Sequence, residues 1–249
     1  MKTLCIILLL ATLTLKADTI RVAGASNTAY AMKALKTAFE AKFPDITVET
    51  VIGSSGKLTA QIKHGAPFDI FLSANVKYPR YLYESGKTIG TERIYARGSV
   101  ILFSRKARSF EHGLNICSHE DIKRIAIANP KLAPYGIAAR EALANAGLLE
   151  EAAPKFIKAE NIGQAMQYAL KQTDLGFIAK SALHSELLAP YNRPGVHWIE
   201  VDSGLYSPIE QAAVLLRYAQ DNRAANTFMD FLFSDEAKSI FKQYGYQIP

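Results

Sequence analysis

Short β-rich apolar runs, each followed by an apolar pattern of helical period, constrain this chain more than any other feature. Residues 20–25 read as a strand, after which Ala31, Leu35, Ala38, Phe39 and Phe43 recur at helical spacing. Residues 46–52 alternate as a strand, and 57–63 form a short helix ending at Gly65. A compact run at 68–72 precedes a helix at 76–84, which stops at Gly86. Later runs at 100–103, 125–128 and 176–179 are predicted strands, with helices at 136–146, 162–171 and 181–187. Helices at 224–233 and 234–244 close the chain. Strands alternating with helices argue an α/β fold with parallel strands joined by crossovers. At 249 residues, 49% of them hydrophobic and 21% charged, the chain makes one large domain or two smaller ones. No repeat of fixed period suggests a solenoid.

The first 17 residues read as a secretory signal peptide rather than as part of that fold. Lys2 supplies the positive start, residues 4–15 are apolar apart from Cys5 and threonines, and Ala17 precedes polar Asp18. The stretch is too short for a membrane-spanning helix. Cleavage near Ala17 would release the protein into the periplasm. It would remove Lys2 and Lys16 and no acid, lowering the net charge of +6 by two. The remaining basic residues are singles scattered among acids, a pattern of solvated faces rather than of a nucleic-acid surface. Cleavage also removes Cys5 and leaves Cys117 alone. No internal disulfide is then available, so Cys117 is either a small buried thiol or a link between molecules.

The strand-to-helix junctions carry the most specific chemistry. Ser26-Asn27 follows the first strand, and Gly53-Ser54-Ser55-Gly56 follows the second. Asn129-Pro130 through Pro134-Tyr135-Gly136 leads into one helix, and Glu160-Asn161-Ile162-Gly163 into another. In open α/β sheets such junctions sit at the carboxyl ends of strands, where ligands bind. Each offers free helix N-terminal N–H groups together with Ser or Asn side chains, all able to donate to an oxyanion. The plainer alternative is that these Ser and Asn residues are N-caps. Other motifs fail on spacing. The glycine after Ser55 comes too early for a nucleophile elbow. Gly86-Lys87-Thr88 lacks the upstream glycine of a phosphate-binding loop. The histidines have no metal-ligand spacing.

With these residues in view, the chain resembles the periplasmic molybdate-binding proteins that feed ABC transporters. The most specific pieces are Val22-Ala23-Gly24-Ala25-Ser26-Asn27 and the run from Gly53-Ser54-Ser55-Gly56-Lys57-Leu58 through Phe68-Asp69-Ile70-Phe71-Leu72-Ser73-Ala74. Pro134-Tyr135-Gly136-Ile137, Ala159-Glu160-Asn161-Ile162 and Lys242-Gln243-Tyr244-Gly245-Tyr246 extend the likeness over the mature chain. The resemblance implies the two-lobed type II periplasmic-binding-protein fold. Each lobe would be a mostly parallel sheet flanked by helices, with the ligand in the cleft between them. It implies residues 18–96 plus 207–249 as lobe one and 97–206 as lobe two. It implies a monomeric binding protein, not an enzyme, that needs no cofactor. Such a protein captures molybdate or tungstate and passes it to the permease subunits of an importer. On this resemblance the oxyanion is held by the hydroxyls of Ser26 and Ser55, by Asn27, and by the backbone at Tyr135 and Ile162. The family's metal, molybdenum, would thus be bound only as its oxyanion. Certain members carry a ligand tyrosine where this chain has Ala179, and Tyr135 is placed to fill that space.

Donor chemistry independently suits a fully deprotonated dianion. Ser, Asn and backbone N–H groups donate, whereas the proton of hydrogen phosphate needs an acceptor. Sulfate has the same charge and shape and can be rejected only by size. A receptor of the same fold for sulfate, tungstate or ferric iron therefore remains an alternative, although no Tyr-Tyr pair suits iron. An exported serine hydrolase is the other, and it would need a histidine near Ser26 or Ser55.

Overall fold

The computed structural model describes residues 18–249, so the signal-peptide reading lies outside the described residues. In chain order the elements are β1 (Asp18–Ala25), α1 (Ala29–Lys42), β2 (Ile46–Gly53), α2 (Ser55–Lys63), β3 (Ile70–Ser73), α3 (Lys77–Glu84), β4 (Thr88–Gly98) and β5 (Val100–Phe103). There follow β6 (Ile125–Ala128), α4 (Pro134–Asn145), α5 (Leu149–Ala152), β7 (Phe156–Ala159), α6 (Ile162–Lys171), β8 (Leu175–Ala179), β9 (Trp198–Glu200), β10 (Ile209–Leu216), α7 (Arg223–Leu232) and α8 (Asp235–Gln243).

The strands form two five-stranded sheets, ordered β2-β1-β3-β10-β4 and β7-β6-β8-β5-β9. β1 pairs in parallel with β2 and β3, and β6 with β7 and β8. β10 runs antiparallel to both its neighbours, and so does β5. Each sheet is therefore parallel apart from one reversed strand. The reversed strands are also where the chain changes sheets. β4 passes through Ser99 into β5, and the chain returns from β9 to β10.

Continuous apolar runs become strands covered on both faces. Every residue of β3, β5, β6 and β8 is buried, as expected of sheets sandwiched between helices. Alternation then decides which helix each residue meets. In the first sheet Ile20, Val22, Ile70 and Leu72 pack with α1, α7 and α8, while Ala23, Phe71 and Val214 pack with α2 and α3. In the second, Val100, Leu102, Ile125 and Ile127 face α4, and Ile101, Phe103 and Ala126 face α6. Phe39 anchors α1 against α7 through edge-on contacts with Phe228 and Phe231, at centroid distances of 4.9 and 5.4 Å.

The sequence pattern differs from the structure at identifiable places. No element is expected at 88–98 or 209–216, yet β4 and β10 lie there. β4 is an edge strand with exposed polar residues, and β10 is rich in residues of good helix propensity. The short strands β7 and β9 are likewise absent from the pattern. The helix expected at 181–187 is instead two 3-10 turns, at 180–184 and 186–191. Ser185 breaks it by adopting an extended backbone and capping the N–H of Leu187, and Pro190 sits inside the second turn.

Cys117 is wholly buried, which decides between its two readings in favour of a packed thiol. Burial pushes its pKa up to about 12, opposed in part by the Lys155 charge. Since the thiolate is the nucleophile, Cys117 in the native protein is expected to resist Ellman's reagent at about pH 8. It should react stoichiometrically once the chain is denatured.

Candidate functional site

The carboxyl ends of the parallel strands in the two sheets face one another across a small space. It is lined by Ala25, Ser26, Asn27, Gly53, Ser54, Ser55 and Ala74 from the first sheet's side, and by Ala133, Pro134, Tyr135 and Ile162 from the second's. All of these residues are buried. About 10 Å³ remains for the centre of a water-sized sphere, room for a compact group and not for an organic solute. Ser26, Asn27, Ser55, Tyr135 and Ile162 are thus brought together around one cavity.

Local geometry makes these residues donors. β1 ends in a 3-10 turn over Ser26–Thr28. α2 opens at Ser55, α6 opens at Ile162, and α4 opens with Pro134, which has no N–H, so Tyr135 supplies that helix's first donor. Among the described residues, the N–H groups of Asn27, Ser55, Tyr135 and Ile162 have no hydrogen-bond partner. None of α2, α4 and α6 carries an acid in its first turn, whereas α8 carries Asp235 and Glu236 there. The positive ends of the three helices are left without a counter-charge of their own.

The hydroxyls divide by role. Ser55 Oγ accepts from the Ala74 N–H at 3.0 Å, which leaves its own hydrogen to donate. Ser54, at the N-cap of α2, makes no capping bond, and its buried Oγ has no partner. The capping alternative therefore fails at this junction. It holds at Asn161, whose side chain accepts from the Gln164 N–H. Asn27 behaves differently from a simple donor. Its amide nitrogen donates to Gln211 Oε1 at 2.8 Å and to the Tyr246 hydroxyl at 2.9 Å. Both amide hydrogens are spent, so only its backbone N–H is available to a ligand.

Tyr135 contributes its backbone to the cavity while its hydroxyl lies against β4: a Cβ added at Gly98 would collide with it. Burial raises the pKa of this phenol well above the ordinary value, reinforced by Tyr246, Tyr95 and Tyr206 and opposed by the nearby Asn27 side chain. Burial likewise pushes Tyr246 up to about 12. These phenols keep their protons at any physiological pH and remain donors.

Contacts between the walls hold the cavity shut. The Gly56 N–H donates to the Leu132 carbonyl at 2.9 Å. Lys57 meets Glu160 at 2.8 Å, with both side chains about half exposed, so this pair contributes at most about 1 kcal/mol. Ser181 Oγ donates to the Asn27 carbonyl at 2.8 Å. Ser181 and Gln211 lie in no motif that marks them, and Tyr246 is marked only by the C-terminal likeness; only the fold brings the three to Asn27.

A family profile described as bacterial extracellular solute-binding protein matches residues 20–247. The chain belongs to that family. Among solute-binding relatives it is 36% identical to the molybdate-binding protein ModA of Azotobacter vinelandii, over 93% of this chain and 90% of the relative. It is 37% identical to ModA of Rhodobacter capsulatus, over 80% and 77%. A solved Azotobacter vinelandii periplasmic molybdate-binding protein superposes with a TM-score of 0.85 at 31% identity, covering 92% of this chain and 99% of that one. The two-lobed periplasmic-binding fold expected from the sequence is thereby established for this solute-binding chain.

Gly56 matters for closure because it lacks a Cβ. An added one would lie 3.0 Å from the Leu132 carbonyl oxygen and 2.9 Å from the Tyr78 hydroxyl. Gly56→Ala is expected to disfavour the closed arrangement by about 1–3 kcal/mol. It should also raise helix propensity by about 0.5–1 kcal/mol. The expected outcome is a larger radius of gyration in small-angle scattering under conditions that close the wild type, with the ligand-free melting temperature unchanged or raised.

Proposed function

We propose that this protein is an extracytoplasmic receptor that captures molybdate, and tungstate with it, for an ABC importer. One observation carries the reading: a small, uncharged cavity into which two sheets direct unpartnered hydrogen-bond donors. Such a cavity suits an anion that only accepts. The Azotobacter and Rhodobacter relatives carry the name molybdate-binding, which supports that choice among tetrahedral oxyanions. In this reading Ser26 and Ser55 donate through their hydroxyls, and Asn27, Tyr135 and Ile162 through their N–H groups. The unpartnered Ser54 hydroxyl joins them. Residues 18–96 with 207–249 form one lobe and 97–206 the other. Residues 1–17 direct export to the periplasm and are cut near Ala17, and the permease subunits of the importer receive the ligand.

The cavity lining, among the described residues, includes no His, Asp or Glu. Neither serine there has a base to take its proton, which favours binding over hydrolysis. A five-atom ligand at the ceiling of about −1.5 kcal/mol per atom reaches about −7.5 kcal/mol, near micromolar.

Calorimetry and thermal melting with an oxyanion panel test the reading. Molybdate and tungstate should each raise the melting temperature, because only the folded cleft binds. A molybdate isotherm repeated in excess sulfate should barely move. A shift with sulfate alone would reassign the ligand. Ser55→Ala should weaken molybdate about ten- to hundredfold, a larger effect than on ligand-free folding, where it removes one buried bond from the Ala74 N–H.

The same reading fixes the pH response. Tyr135 lines the cavity and Tyr246 hydrogen-bonds Asn27 behind it, and both have raised pKa values. The protonated, donating form is therefore the one present until the pH passes those raised values. Molybdate affinity is expected to be flat between about pH 6 and pH 9. A fall across that range would implicate a group outside the site described.

A further inference from the structure

The Asn27 carbonyl is held from both sheets at once. Tyr246 Oη donates to it at 2.8 Å from the C-terminal segment, which is tied to β4 by the paired backbones of Arg97 and Gln247. Ser181 Oγ donates to it at 2.8 Å from the turn that follows β8, in the other sheet. Ser181 is 3% exposed and is not itself one of the residues lining the cavity. Tyr246 also accepts from the Asn27 amide nitrogen, as does Gln211 Oε1, while the buried Asn27 Oδ1 has no partner among the described residues. One half of this clamp lies within the first sheet's lobe, and the other half exists only when the second lobe is against it.

That asymmetry has a consequence for binding. No solute reaches a cavity whose whole lining is buried unless the walls part, and the two strand crossings between the sheets are the connections about which they can do so. Parting breaks the Ser181 bond and leaves the Tyr246 bond intact. A carbonyl that accepts a second hydrogen bond polarises its own peptide unit. It also fixes the orientation of a residue whose N–H has no protein partner.

We infer that Ser181 is a positioning residue for closure: it locks Asn27 in its ligand-facing orientation when the second lobe arrives, and so slows release of the bound anion. This rests on the proposed oxyanion-receptor reading, and it adds a residue that does not touch the ligand. Ser181 acts on the closed state alone, whereas Tyr246 acts on both states.

The test compares Ser181→Ala and Tyr246→Phe with the wild-type mature chain, using sodium molybdate as the probe. For Ser181→Ala the ligand-free melting temperature stays at the wild-type value. Affinity falls roughly tenfold, as for one buried hydrogen bond, and stopped-flow mixing places that loss in the dissociation rate. Tyr246→Phe lowers the ligand-free melting temperature as well. An affinity of Ser181→Ala within twofold of wild type overturns the inference. So does a drop in its ligand-free melting temperature equal to that of Tyr246→Phe, which would make Ser181 a packing residue. If the wild type itself fails to bind molybdate, tungstate or sulfate, the receptor reading falls and takes this inference with it. Wild-type binding combined with an unaffected Ser181→Ala overturns the inference alone.

Discussion

The closed structure depends on one unusual condition: hydrogen-bond donors are buried at the meeting of two sheets without partners inside the protein. An unsatisfied buried donor costs about 1–3 kcal/mol, and the N–H groups of Asn27, Ser55, Tyr135 and Ile162 incur that cost together. The Ser54 hydroxyl adds to it. A cleft built this way favours closure when an acceptor fills it and opening when none does. The same geometry that recognises an anion therefore makes the protein respond to it. No charged side chain is needed, since three helix N-termini and neutral hydroxyls distribute the positive potential around the cavity.

The architecture delivers those donors by a simple rule. Parallel strands that each feed a helix place successive helix N-termini at one end of the sheet. Two such sheets, joined by two crossings, bring their carboxyl ends face to face. The reversed strands β10 and β5 sit inside the sheets and carry the chain across. β10 also places Gln211 behind Asn27, so the strand beside a crossing holds a residue of the site.

Asn27 shows how a side-chain amide nitrogen can be wholly committed to partners behind a cavity that its own residue lines. Its hydrogens are committed to Gln211 and Tyr246, and its carbonyl to Tyr246 and Ser181. The tyrosines around it remain protonated because burial disfavours the phenolate. The result is a polar hub behind the cavity, with partners from both sheets, that fixes the first turn after β1.

Much of this was legible in the chain itself, because the relevant physics is local. Alternation and helical period marked β1, β2, β3, β5, β6 and β8, and the helices α1, α2, α3 and α4 that follow β1, β2, β3 and β6. Glycine-flanked serines and a Pro-Tyr-Gly helix start marked donors at strand ends. What the sequence pattern missed is equally physical. β4 and β10 draw their stability from pairing with distant strands, so their propensities say little. The 181–187 segment looked helical, but Ser185 takes an extended backbone and caps the Leu187 N–H, and Pro190 sits inside the turn that follows. The sequence by itself determined which residues could donate. Only tertiary structure decided which donors would face the cavity and which would be consumed elsewhere. Asn161 became a cap and Asn27 a strut, while the Ser54 hydroxyl stayed unpartnered and Ser55 accepted from Ala74 yet kept its hydrogen, because hydrogen bonds between residues far apart in the chain depend on a geometry that no local pattern encodes.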